Sequence, residues 1–215
     1  MSKTFLRFAA LALSSLALTG CLNLKRVTDP ARFYVLSAVP AGTPDTAGSH
    51  GDLAVGLGQV DLPAYLLDRR IALRQGVNQI NYSEYHQWAE RLDKGLQRVL
   101  GANLSALLSS DRVMLSAWQR GQVRAEVYLS VQRFECDERG QVVLEARWRI
   151  ASPGGEETLR TGHAHITRQG PMLRADPEGA IGELNEALAD LSRQIAAAVQ
   201  SVSASPGASK PERSP

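Results

Sequence analysis

Apolar residues recur with a period of two along the second half of the chain. Over residues 123–136, Val123, Ala125, Val127, Leu129, Val131 and Phe134 alternate with Arg124, Glu126, Tyr128, Ser130 and Gln132. Over 142–150, Val142, Leu144, Ala146, Trp148 and Ile150 share one face. Successive side chains of a strand point to opposite sides, so this alternation predicts strands buried on one face. A turn at 137–140 and the Pro153-Gly154-Gly155 break set these runs apart from a third at 157–168. The three together predict an antiparallel meander. Beyond Asp176-Pro177 the period becomes helical. Ile181, Leu184, Leu188, Leu191, Ile195 and Val199 form an apolar stripe, with Pro177 near the first helical position, where its missing N–H costs nothing.

The first half is less regular. Residues 32–39 (RFYVLSAV) and 53–62 (LAVGLGQVDL) read as strands. Gly56 and Gly58 inside the second predict a bulge or a close backbone approach, and Pro63 stops it. Residues 71–74 and 79–82 read as a hairpin turning through Gly76 and Asn78. A long amphipathic helix is predicted next, capped by Ser83 with Glu84 in its first turn. Its stripe is Trp88, Leu92, Leu96, Val99, Leu100, Leu104, Leu107 and Leu108, with Glu90, Arg91, Lys94, Gln97 and Arg98 on the other sides. Gly95 and Gly101 suggest close packing against a sheet. A short strand at 112–118 follows. Residues 40–52 are rich in Gly, Pro, Ser and Thr and read as a flexible loop, and 203–215 as a disordered tail. The order strands, helix, strands, helix predicts an α+β fold: a two-layer α/β sandwich, its mostly antiparallel sheet packed against two long amphipathic helices.

The N-terminus carries a different pattern. Lys3 and Arg7 precede the uncharged run FAALALSSLAL at 8–18, too short to span a bilayer comfortably. Leu18-Thr19-Gly20-Cys21 then resembles the bacterial lipobox. That resemblance implies a signal peptide at 1–20, a diacylglycerol on the Cys21 sulfur, palmitate-type acylation of the new N-terminus, and a tether over 21–31. Leu22 rather than Asp follows the cysteine, which by the same resemblance implies the outer membrane, on its periplasmic face. Several acyl chains on one residue would hold the protein far more firmly than one.

Composition narrows the function classes. Lys3 and Arg7 belong to the leader, so 22 of the 24 basic residues remain to match 22 acidic ones. A neutral mature chain has no basic face for nucleic acid. With Cys21 lipidated, Cys136 has no intramolecular partner, and it reads as a small packed residue. His163 and His165 lie two apart on one strand face, a spacing that supports a metal, yet no third ligand neighbours them; His50 falls in the loop. Ser83 and His86 are close in sequence, but triads assemble by geometry, and the chain has no G-x-S-x-G elbow. No P-loop or G-x-G-x-x-G occurs. The residues therefore point to no enzyme, no metal and no cofactor.

Four stretches resemble the paraquat-inducible protein C family, the ABC-type transport auxiliary lipoproteins. They are Phe33-Tyr34-Val35-Leu36; Val60-Asp61-Leu62-Pro63-Ala64-Tyr65-Leu66; His86-Gln87-Trp88-Ala89-Glu90-Arg91-Leu92-Asp93 leading into Val99-Leu100-Gly101-Ala102-Asn103-Leu104; and the closing helix. Arg91 stands where the family usually has proline. The resemblance implies a domain of this family over 32–202 and a docking role in intermembrane lipid transport. Implied partners are a membrane-anchored MCE-domain protein, inner-membrane transporter components and further copies of the chain in a homo-oligomeric ring. Tyr65 and Trp88 are the candidate partner contacts, although Trp88 also reads as a core anchor. Two other readings stay open: an outer-membrane assembly lipoprotein partnering a β-barrel, and a periplasmic hydrolase using Ser83 or a histidine.

Overall fold

Three long strands form the predicted meander: β6 (Ala125–Asp137), β7 (Gln141–Ala151) and β8 (Thr158–Gln169), each antiparallel to the next. The computed structural model describes residues 30–38 and 53–204. The proposed leader, Cys21, the 40–52 loop and the tail beyond residue 204 lie outside the described residues. Five shorter strands precede the meander: β1 (Arg32–Tyr34), β2 (Val55–Asp61), β3 (Arg70–Arg74), β4 (Ile80–Trp88) and β5 (Val113–Leu115). All eight belong to one mixed sheet. Its long pairings are antiparallel. The pairs β1–β4, β2–β5, β2–β6 and β3–β6 are parallel, which local sequence patterns did not foretell.

Two helices complete the α+β fold. Helix α1 (Leu92–Leu107) packs against β2, β5 and the second helix, and α2 (Pro177–Ser203) packs against β6, β7 and β8. Asp176 caps α2 as its sequence predicts, its carboxylate accepting from the Gly179 N–H at 2.9 Å. The whole predicted stripe of α2 is buried. Burying each such Leu or Ile contributes roughly 1.5–3 kcal/mol, so the stripe fixes how the helix sits on the sheet. Ser203, expected to start the tail, is the last residue of α2.

The start of α1 differs from the expectation. Residues 80–88 are strand, so Ser83 caps no helix and Trp88 belongs to β4. Pairing decides this segment: β4 is held by β3 on one edge and β1 on the other. Ile80, Tyr82, Tyr85 and Trp88 are also strand-favouring residue types. The helix begins after Arg91, whose φ of −60° and ψ of 133° are those a proline adopts. A proline would therefore fit this backbone, and the Arg91 guanidinium that stands here pairs with Asp93 at 3.0 Å. At the other end, Ser110 N–H reaches back to Ser105 O and Ser109 N–H to Ala106 O, with Ser109 at φ 49°. That is a Schellman ending built on serine instead of glycine.

The glycines of β2 behave as predicted. A Cβ on Gly56 would lie 2.7 Å from the Trp118 ring, and the β2–β6 register slips between Leu57 and Val60. Gly101 lets α1 approach Leu115 of β5, whereas Gly95 faces Glu90 and not the sheet. Gln97, expected on the polar side of α1, is buried.

Two substitutions test this packing. A Cβ at Gly162 would come within 2.0 Å of the buried Trp148 ring; Gly162→Ala is expected to destabilise the fold by about 1–3 kcal/mol in urea titration. Arg91→Pro is expected to stay within about 1 kcal/mol of wild type, because the native φ already suits proline. A loss well beyond that would show that the arginine side chain, not the backbone angle, sets the start of α1.

Candidate functional site

The connection from β2 to β3 carries the most distinctive of the family-like stretches, Val60 to Leu66. Pro63 lacks the N–H that would continue a ladder, and a single 3-10 turn (Ala64–Leu67) follows. Leu66 is buried under this turn. Tyr65 is half-buried, and its hydroxyl donates to the Gln132 carbonyl at 3.3 Å. That carbonyl lies where the β6–β7 register slips, between Val131 and Arg133. Tyr82 donates in turn to the Tyr65 carbonyl at 3.1 Å. Burial, followed by the neighbouring Glu135 carboxylate, pushes the Tyr65 phenol well above its ordinary value, so it stays a donor. Glu135 is itself buried and is held by Arg74 and, at 3.1 Å, by Arg133. The hydroxyl of Tyr65 is therefore engaged within the protein, while the residue as a whole stays partly exposed.

Trp88, the other candidate contact, is only 4% exposed at the end of β4. Its backbone N–H donates to Arg69 O at 2.7 Å, and it pairs in register with Tyr34. It joins the core cluster, as its core-anchor reading expected.

Ser83 and His86 do meet: the Ser83 Oγ lies 2.8 Å from His86 Nδ1. The same oxygen accepts the His86 backbone N–H at 3.2 Å. Both lie in the segment of β4 that bulges between its pairings with Arg70 and Ala72. Burial and then the charge of Arg32 depress the His86 pKa. A hydrolytic triad needs an acid to orient and stabilise its imidazole, and here the charge acting on the ring is a cation. Ser83 is also buried. The pair serves to close a strand bulge.

His163 and His165 are both exposed on β8, and His165 Nδ1 lies 3.0 Å from Glu145 Oε1. Among the described residues no three His, Cys, Asp or Glu side chains gather at metal-binding distance. Cys136 is fully buried, and burial pushes its thiol up to about 12, so it is an inert packed residue.

Four polar residues that the sequence did not mark as site residues hold the site's frame. Gln97 reaches from α1 to the Gly58 carbonyl at 2.7 Å, at the β2 irregularity. Asn103 donates to Ser192 of α2 at 3.0 Å, and Ser192 donates to the Leu188 carbonyl at 2.7 Å. Glu126, on the opposite face of the sheet, accepts from Tyr128 (2.6 Å), Gly154 N–H (2.8 Å) and Trp118 (2.9 Å). Burial opposes its ionisation, yet these donors keep its carboxyl below the usual value. Beside it runs an open groove of about 510 Å³ whose lining includes Asp61, Tyr128, Ser130, Arg147, Arg149 and His163. Arg149 lies 4.3 Å over the Tyr128 ring. Only Asn103 carried a signal in the sequence, through its place in the Ala102-Asn103-Leu104 motif.

Comparison with known proteins places these features. The family described as ABC-type transport auxiliary lipoprotein component matches residues 34–196. The intermembrane transport lipoprotein PqiC of Escherichia coli (strain K12) is 26% identical over 122 residues, which is 57% of this chain and 64% of the relative. PqiC of Shigella flexneri matches to the same extent. The chain thus covers less than two thirds of the length of these curated relatives. A crystal structure of a Xanthomonas campestris protein has the same fold, with a TM-score of 0.68 over 80% of this chain and 97% of that one at 13% identity. With the family's match running from β1 into α2, the chain belongs to the ABC-type transport auxiliary lipoproteins.

Proposed function

We propose that the protein is an exported lipoprotein, acylated on Cys21, that works at the periplasmic face of the outer membrane. There it docks an MCE-type intermembrane lipid transport system to that membrane. The family match over residues 34–196 carries this reading. The Leu18-Thr19-Gly20-Cys21 sequence and the absence of Asp after the cysteine support the anchor and its destination. The name of the PqiC relatives, intermembrane transport lipoproteins, supports the transport role. Its partners in this reading are an MCE-domain protein, inner-membrane transporter components and further copies of itself in a ring. Helices and sheet would form two layers, one layer of helices lying on a single sheet face. The protein binds and positions rather than catalyses, which agrees with a Ser83–His86 pair spent on a strand bulge. Tyr65, partly exposed, contributes a contact, while Trp88 shapes the end of β4 from within.

The anchor is tested by Cys21→Ser, which should release the protein from membranes in a carbonate wash or leave its leader uncut. Mass spectrometry of the wild-type N-terminus should find the added acyl mass, and an unmodified Cys21 would refute the anchor. The partners are tested by capture of the tagged full-length lipoprotein from detergent-solubilised membranes, where an MCE-domain protein is expected. Recovery of a β-barrel instead would favour an outer-membrane assembly role. Tyr65→Phe should lower stability by about 1 kcal/mol, the worth of one hydrogen bond. It should leave that capture intact, since the ring is kept; lost capture from a folded variant would assign the contact to the hydroxyl.

A further inference from the structure

Large apolar side chains left in water concentrate at one edge of the sheet. Strand β1 ends the strand order, with β4 as its hydrogen-bonded neighbour. Phe33 is 55% exposed and Val35, two residues on, is 49% exposed. Phe33 pairs in register with Gln87, and Tyr85, 44% exposed, precedes Gln87 by two residues on β4. Tyr34 and Trp88, paired one step further along, turn to the core instead. Phe33 and Val35 are therefore not residues waiting to complete that core. Arg69 lies 5.8 Å over the Phe33 ring, and Leu67, two residues before it, is exposed as well.

Two facts indicate what covers this edge. The first is distance along the chain. Residues 21–31 separate Cys21 from Arg32, and a fully extended segment of that length spans at most about 40 Å. The second is composition. Lys25, Arg26, Arg32 and Arg69 lie in or beside this stretch, against Asp29 and Glu84, while Asp68 neutralises Arg70 at 2.8 Å. Aromatic side chains beside arginines suit the boundary between acyl chains and phosphate headgroups, where rings sit at headgroup level and cations meet anionic phosphates.

We propose that the β1–β4 edge, centred on Phe33, Val35 and Tyr85 with Arg32 and Arg69, lies on the bilayer surface that carries the lipid anchor. The proposal rests on acylation of Cys21, and it goes further by fixing the orientation of the folded body. The anchor holds the chain at the membrane; the edge decides which face meets it. Most of the sheet and both helices then remain free for protein partners.

Spin labelling of the full-length lipoprotein in phosphatidylglycerol-containing vesicles tests this. Cys136 is buried with its thiol held protonated, and an acylated Cys21 has no thiol, so one introduced cysteine takes the label. Val35→Cys and Tyr85→Cys are compared with Val77→Cys, which is 87% exposed on the turn at the far end of β4. Labels at 35 and 85 should meet oxygen dissolved in the lipid several-fold more than a water-soluble nickel chelate, with the reverse at 77. Adding Phe33→Ser and Arg69→Ser should abolish that contrast at 85 while the protein still floats with the vesicles. Equal access to the chelate at all three positions in floating protein would overturn the proposal. Protein that does not float, with unmodified Cys21 by mass spectrometry, would overturn the lipoprotein reading itself.

Discussion

Strand β6 has two edges and three partners, and the rest of the sheet follows from that constraint. Strand β7 takes one edge along nearly its whole length. Strands β2 and β3 must then share the other, β2 against residues 125–130 and β3 against 136–137, both parallel to it. From Asp61 to Leu73 the chain advances twelve positions, while their partners on β6, Ser130 and Cys136, are six apart. The connection must leave the sheet and return, and the ladders are irregular near the handover. Each irregularity frees backbone groups, which are costly to leave unpaired when buried. Tyr65 takes the Gln132 carbonyl, and Gln97 takes the Gly58 carbonyl. Ser83 answers the third irregularity, in β4, by accepting the His86 N–H.

This gives the family-like residues a physical meaning. In Val60 to Leu66, proline ends β2, tyrosine spans the gap to the β6 bulge, and leucine seals the turn from below. In Ala102-Asn103-Leu104, the asparagine bonds Ser192 across two helices whose contact is otherwise apolar. A polar pair buried between apolar helices helps fix their register, because sliding either helix would leave the Asn103 amide N–H without its acceptor. Such residues support the body's shape. They need not touch a ligand to be characteristic of the fold.

Much of this architecture is legible in the sequence where the deciding forces are local. The meander shows in alternation, α2 in its stripe and its Asp176-Pro177 start, and the 71–82 hairpin in its glycine turn. The stripe of α1 is legible from Leu92 onward. Its beginning is not, because Ser83-Glu84 carries a valid capping pattern whose weight is smaller than two flanking strand ladders. The same reason hides the parallel pairings: nothing within β2 or β3 states that a strand seventy residues later will hold both. Glu126 and Gln97 were illegible for a related cause. A polar residue on an amphipathic element reads as solvated until the partner that buries it is known.

The same logic separates the candidate chemistry from the structural polar groups. A catalytic pair must keep its nucleophile unspent and its base oriented by an acid. Ser83 Oγ already accepts a backbone N–H, and the charge felt by His86 is that of Arg32. Glu126 is a buried carboxylate, yet it is satisfied by donors from Trp118, Tyr128 and the Gly154 backbone that tie separate segments together, while Glu135 is buried between Arg74 and Arg133. The structural donors around Glu126 stabilise its ionised state, so it is held charged instead of exchanging protons. What the fold leaves unspent is surface: an apolar, arginine-flanked edge at β1 and an open groove lined by both apolar and charged side chains. Apart from Asn103 Oδ1, Glu135 Oε2 and Trp148 Nε1, the buried side-chain polar atoms among the described residues are engaged in holding the body's shape, so contact with other molecules falls to those surfaces, which is the physical content of an auxiliary role.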